Sequence, residues 1–168
     1  MNYLNQHIFL LLNADAQASA FSIWLGRTLA EWPVFIALLL VALAWYRQSD
    51  RKLFVQRAVV TTALAIRCTY YNPRPFVLGL GRMLMEHDAT TSFPSFHATF
   101  LFSLALPLFA QRGAGSTGLA IVLLGLGIAW ARIFVGVHYP LDMAGAFITA
   151  AIATAIACAV FKQPKAHR

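Results

Sequence analysis

Three predominantly apolar runs, Ser95 to Ala110, Gly118 to Phe134 and Pro140 to Phe161, follow one another with only short polar connections. A transmembrane helix needs about 20 apolar residues, and such runs in close succession leave few alternatives to a membrane helix bundle. Composition agrees: 11% of the 168 residues are charged and 60% hydrophobic, whereas soluble domains carry roughly 25% charged residues. Two further spans are read upstream. One runs from about Thr28 to Tyr46, with residues 16–30 a helical approach, and the other covers Leu53 to Tyr71. Asn2 to Leu12 is too short to cross and reads as an amphipathic interfacial helix. Phe76, Val77, Leu80, Met83 and Leu84 recur at helical spacing and predict a second short interfacial helix before the third span. The expectation is an all-α, polytopic bundle of about five transmembrane helices, forming one domain over 1–168. Gly125 and Gly127 would let the fourth span approach a neighbour closely. Trp24, Trp32, Trp45, Tyr46 and Trp130 suit interfacial aromatic belts.

The formal net charge is +7. In a soluble protein that would suggest nucleic acid. Here the charges fall between apolar runs, so no nucleic acid is expected, and topology signals and an anionic substrate explain the excess better. Arg47, Arg51, Lys52, Arg57, Arg112 and the tail Lys162, Lys165 and Arg168 fall on one side, read as cytoplasmic together with the C-terminus. The N-terminus lacks the positive start of a cleavable signal peptide. Cys68 and Cys158 fit no zinc or disulfide spacing and read as packing residues. His87 and Asp88 adjoin without defining a coordination site and read as a solvated loop pair. Arg27 and Glu31 read as an i, i+4 pair at the interface, with Glu31 touching the site as the sharper option. Arg74 and Arg82 fall on the outward side, against the charge rule, and ask for a local reason such as a phosphate.

That outward side collects the unusual chemistry. The second span ends in Arg67-Cys-Thr-Tyr-Tyr-Asn-Pro-Arg74-Pro75. The third opens with Phe93-Pro94-Ser95-Phe96-His97. The turn between the fourth and fifth carries Arg132 and, further on, His138-Tyr-Pro-Leu-Asp142. Charged groups near a membrane interior face a cavity or a partner, and guanidinium forks match phosphate oxygens. Pro94 and Ser95 mark a helix start, with Ser95 able to cap its free amides. A second helix starts near Pro140, and both aim positive ends at the same face. Asp142 lies four residues after His138 and can accept from one ring nitrogen, leaving the other free to attack. His97 has no sequence-near carboxylate and suits proton donation to a leaving oxygen. The residues thus point to phosphoryl transfer, with His138 as nucleophile, Asp142 orienting it and His97 as acid.

Arg67-x6-Arg74-Pro75, then Pro94-Ser95-Phe96-His97, then Ala131-Arg132-x5-His138-x3-Asp142 resemble the three-part signature of the type-2 phosphatidic-acid phosphatase superfamily, Lys-x6-Arg-Pro, Pro-Ser-Gly-His and Ser-Arg-x5-His-x3-Asp. The compact size and the His-Asp-Ala-Thr-Thr-Ser-Phe-Pro-Ser run look most like its bacitracin-resistance type of undecaprenyl pyrophosphate phosphatase. The resemblance implies a phosphohistidine mechanism with no metal and no cofactor, in which Arg67, Arg74, Ser95 and Arg132 hold phosphate. It implies an isoprenoid or glycerolipid phosphate as substrate, a place in the bacterial cytoplasmic membrane with the site facing the exterior, and release of a terminal phosphate that recycles a carrier lipid. The lipid bilayer is the expected surrounding, and no protein partner is inferred. Three positions depart from the pattern. Arg67 replaces Lys and changes reach. Phe96 replaces Gly and sets a ring beside the acid, against the lipid chain or the mouth of the site. Ala131 replaces Ser and drops a hydroxyl. Two other readings stand beside hydrolysis: a lipid phosphotransferase using the same intermediate, and a non-catalytic lipid-phosphate transporter. Transport predicts ionisable groups along a midplane path, whereas here they cluster at one end.

Overall fold

A computed structural model describes residues 3–47, 51–66, 71–111 and 113–161. Among these residues the chain is all-helical, with seven α-helices and no strand. They are α1 (Tyr3–Leu12), α2 (Ala20–Glu31), α3 (Pro33–Arg47), α4 (Arg51–Ile66), α5 (Phe96–Phe109), α6 (Gly115–Phe134) and α7 (Pro140–Val160).

Helix α5 is the hub, packed against α4, α6 and α7, with α3 alongside and α2 against α6. Nine of its 14 residues are buried, as expected of a helix that is apolar all round. Helix α7 turns small residues inward and large ones outward, and α6 also exposes large residues. On α7, Gly145, Ala146, Ala150, Ala153 and Ala157 are buried while Ile148, Ile152 and Ile156 are exposed. On α6, Leu119, Leu123 and Leu126 point out. Water would not stabilise that arrangement, but hydrocarbon does: helices in lipid approach through small residues and leave branched ones to the acyl chains. A Cβ at Gly125 would strike the Phe102 ring of α5, so this glycine sets the α5–α6 approach. Nothing lies near Gly127, which does not share that role.

Two helices, α6 and α7, are long and apolar enough to cross a membrane, and α2 with α3 makes a third if taken as one bent span. The pair meets at 42° around Trp32, where Pro33 cannot donate an amide hydrogen to the preceding turn. The chain is therefore a membrane protein, with two to three candidate spans among the described residues. Helix α5 has 14 residues, about 21 Å at 1.5 Å per residue, less than the hydrocarbon thickness.

The N-terminal interfacial helix forms as expected and does more than rest on a surface. Asn5 Oδ1 accepts from the Leu141 amide at 3.0 Å, satisfying one free donor at the start of α7, and the Phe9 ring packs edge-on against Tyr139. The second interfacial helix does not form. The segment makes one 3-10 turn, Pro75–Leu78, and then runs irregularly to Ser95. Gly79 and Gly81 sit at φ +65 and +67, a left-handed geometry that ends helical propagation. Arg82, for which a phosphate was the expected reason, donates to the Asp15 carbonyl at 2.9 Å, while its amide and carbonyl engage the Asn13 side chain. The irregular segment is thereby pinned over the α6–α7 corner, where Leu84 N also donates to Val135 O at 2.9 Å.

Candidate active site

The turn from α6 into α7 builds the centre. Gly136, at φ +85 with no room for a Cβ against the Arg82 carbonyl, tightens the turn. The Val137 and His138 amides then both reach the Arg132 carbonyl. Pro140 begins α7, and Asp142 in its first turn reaches back. Its Oδ2 accepts from the Tyr139 amide at 2.8 Å and lies 3.3 Å from His138 Nδ1. The expected histidine–carboxylate pair is present, with both side chains buried.

Arg74 enters from the 3-10 turn and is buried. Its Nη1 donates to the Val137 carbonyl at 2.9 Å and lies 3.0 Å from His138 Nε2. Arginine has no acceptor, so Nε2 takes this hydrogen bond with its lone pair and the proton stays on Nδ1, toward Asp142. Burial, the largest influence, lowers the His138 pKa to about 3 despite the opposing pull of Asp142. The ring is neutral, with the Nε2 lone pair turned to Arg74.

Ser92 is a site residue that the motif left out. It is fully buried. Its hydroxyl donates a short hydrogen bond to Asp142 Oδ2 and lies 3.3 Å from His138 Nδ1. Gly145 makes this possible, because a Cβ there would collide with the Phe93 ring that packs on α7 beside Ser92. A signal was available: a serine three residues ahead of the Pro-Ser helix start in a segment otherwise free of helical period.

In front of this cluster opens a pocket of about 350 Å³ lined by Glu31, Met85, Glu86, His87, Asp88, His97 and Arg132. The fold brings His97 and Arg132 here, together with Glu31. Arg132 is 1% exposed, yet it makes only one hydrogen bond, Nη1 to the Ala30 carbonyl at 3.3 Å; Nε and Nη2 have no partner among the described residues. An unpaired buried donor costs about 1–3 kcal/mol, and these N–H groups belong to a residue that lines the pocket. Ser95 occupies the N-cap position of α5 but does not cap it; its buried hydroxyl is also without a partner, and its amide donates to the Asp142 carbonyl at 3.3 Å.

Several expectations are corrected here. Arg27 does not pair with Glu31: its Nε donates to the Leu84 carbonyl at 2.7 Å, leaving Glu31 in the pocket wall. His87 is not merely solvated; it is half-buried, and its ring meets that of His138 edge to face with centroids 6.2 Å apart. Phe96 turns away from the pocket, 57% exposed and stacked on Phe100, although its edge meets His97. It is not among the residues that line this pocket. Ala131 is buried among apolar neighbours. Arg67 lies outside the described residues, as do Cys68, Arg112 and the tail from 162 onward.

The profile of the PAP2 superfamily matches residues 52–165. The chain is 32% identical over 156 residues to YbjG of Escherichia coli (strain K12), which carries a provisional undecaprenyl-diphosphatase name, covering 89% of this chain and 78% of YbjG. It is 33% identical over 126 residues to the undecaprenyl-diphosphatase BcrC of Bacillus subtilis (strain 168), covering 71% and 64%. The crystal structure of Aquifex aeolicus LpxE shares the fold with a TM-score of 0.71 at 22% identity, over 94% of this chain and 96% of that one.

Proposed function

The chain belongs to the PAP2 superfamily, and on that premise we propose that it removes the terminal phosphate of a lipid pyrophosphate, undecaprenyl pyrophosphate being the first choice. The names of the two relatives support that substrate. The observation that carries the chemistry is the state of His138: Nδ1 turned to Asp142, Nε2 bare apart from an Arg74 hydrogen bond.

In the reaction, phosphate oxygens enter against Arg132 and draw Arg74 from Nε2. The freed lone pair attacks the terminal phosphorus. The bond to the bridging oxygen breaks, its electron pair stays with the departing lipid monophosphate, and His97 supplies the proton. Arg74, Arg132, Ser95 and, from outside the described residues, Arg67 stabilise the equatorial charge. Asp142 balances the imidazolium that forms. Water then cleaves the phosphohistidine. The site lies at the end of the bundle away from Arg47 and Arg57, and the charge pattern puts that end outside the cytoplasmic membrane with the C-terminus inside.

Purified protein is to be tested for phosphate release from undecaprenyl pyrophosphate and from phosphatidic acid in the presence of chelator. Wild type turns over without added metal, and His138→Ala loses on the order of a thousandfold or more. Retained activity in that variant, or strict dependence on a divalent ion, sinks the reading. In intact cells a tag after the C-terminal residue stays protected from external protease; cleavage inverts the orientation.

A further inference from the structure

One imidazole in the pocket has no task in this scheme. His87 lies outside the three motif stretches, lines the same pocket as His97 and Arg132, and touches the His138 ring edge to face. Its Nδ1 is 3.1 Å from the Asp88 carbonyl oxygen. A carbonyl only accepts, so Nδ1 carries hydrogen. In a neutral ring the other nitrogen, Nε2, then holds a lone pair and no proton. The neutral form is favoured. Burial is the main influence lowering the His87 pKa; the Asp88 carbonyl opposes it, and the nearby Arg74 and Arg132 charges add to the lowering. With Nδ1–H held by the Asp88 carbonyl, the bare Nε2 is set to take a proton.

The second half of the reaction needs that ability. Once His138 is phosphorylated its Nε2 is occupied, and Asp142 lies on the opposite side of the ring, against Nδ1. The attacking water must lose a proton to some other group. We propose that His87 is the general base for this step, a catalytic residue for hydrolysis of the phosphoenzyme; this rests on the phosphohistidine reading above. As the water oxygen bonds to phosphorus, one of its protons passes to His87 Nε2. The phosphorus–nitrogen bond breaks with its electron pair returning to His138, phosphate leaves, and His87 gives its proton to solvent. His97 becomes a base too after protonating the leaving lipid phosphate, so it is the rival for this duty.

The experiment follows the intermediate. Wild type, His87→Ala, His87→Asn, His97→Asn and His138→Ala are mixed with undecaprenyl pyrophosphate radiolabelled on its terminal phosphate and quenched in alkali, where phosphohistidine survives. Asparagine keeps an N–H donor for the Asp88 carbonyl while removing the base. Both His87 variants are expected to form labelled protein at a rate within about twofold of wild type, to accumulate it, and to turn over about a hundredfold more slowly, the scale of general-base catalysis. His97→Asn is expected to slow formation without accumulation. The proposal is overturned if the His87 variants turn over normally, if formation slows in step with turnover, or if His97→Asn is the variant that traps label. If wild type and every His87 and His97 variant label no more than His138→Ala, the phosphohistidine itself is wrong and the base assignment falls with it.

Discussion

Two buried arginines, Arg57 and Arg132, lie at opposite ends of the bundle and are used in opposite ways. Arg57 donates from Nε and Nη2 to the Phe161 carbonyl at 2.8 and 2.6 Å and from Nη1 to the Ala110 carbonyl at 3.1 Å. Those carbonyls close α7 and α5, where helices run out of internal donors and carry partial negative charge. The guanidinium is saturated by the fold. Arg132, equally buried, has one long hydrogen bond and two unpartnered nitrogens. The first arrangement is complete without a ligand. The second leaves two nitrogens for the phosphate proposed above. Burial of a cation therefore does not mark a site; the unused donors do.

This contrast is broken or upheld by replacing each residue with methionine, similar in length and uncharged. Arg132→Met is expected to lower kcat/KM by about a thousandfold, the scale of losing an arginine that holds transferring phosphate, while stability stays within about 1 kcal/mol or rises, since costly donors are removed. Arg57→Met is expected to lose about 3 kcal/mol of stability, because two helix ends lose their partner, with turnover per folded molecule within about twofold of wild type. Thermal unfolding in one detergent, beside phosphate release, reads both. If Arg132→Met unfolds and Arg57→Met is merely inactive, the two ends have been assigned backwards.

Ser92 sharpens the site end. Its hydroxyl is the shared partner of Asp142 Oδ2 and His138 Nδ1, so Ser92→Ala leaves Nδ1 with the carboxylate as its one partner, at 3.3 Å. Outer-shell partners of this kind are worth about tenfold to a hundredfold in activity. The loss is expected in kcat with KM unchanged, and Ser92→Thr, which keeps the hydroxyl, should recover most of it. A rise in KM alone would make Ser92 a wall of the pocket rather than a support for the nucleophile.

What the sequence made legible follows how far apart the interacting residues are. The ends of α6 and α7 are readable from apolar run length, Pro140 and the charged residues beside them. The His138–Asp142 contact is readable because both residues share one helix start. Ser92 is not, since its partners lie 46 and 50 residues away. The Arg27–Glu31 pair was locally reasonable and lost to a carbonyl 57 residues distant. The helical spacing of Phe76 to Leu84 was real, but two left-handed glycines and the docking of Leu84 on Val135 outweigh it. Arg57 looked like a topology charge because the carbonyls that it holds belong to two other helix ends. Local period and local pairs are written in adjacent residues, whereas the donors and acceptors that complete a membrane bundle come from distant ones.

The smallest expected effect concerns protonation. Arg57 holds its end through hydrogen bonds to two backbone carbonyls, which neither gain nor lose a proton in mild acid. At the site end the form proposed to attack is the neutral imidazole. The His138 pKa is lowered to about 3, burial outweighing Asp142, so the neutral form persists far below the ordinary histidine value of about 6.5. Acid protonates this ring only near the lowered value. In nuclear magnetic resonance spectra of the unliganded protein, the ring signals identified by their loss in His138→Asn should therefore not titrate between about pH 8 and about pH 5. A titration centred near 6.5 would mean that the carboxylate outweighs burial and that water reaches the cluster. The unpaired nitrogens of Arg132 would then be hydrated, and the difference between the two arginines would shrink to one of exposure.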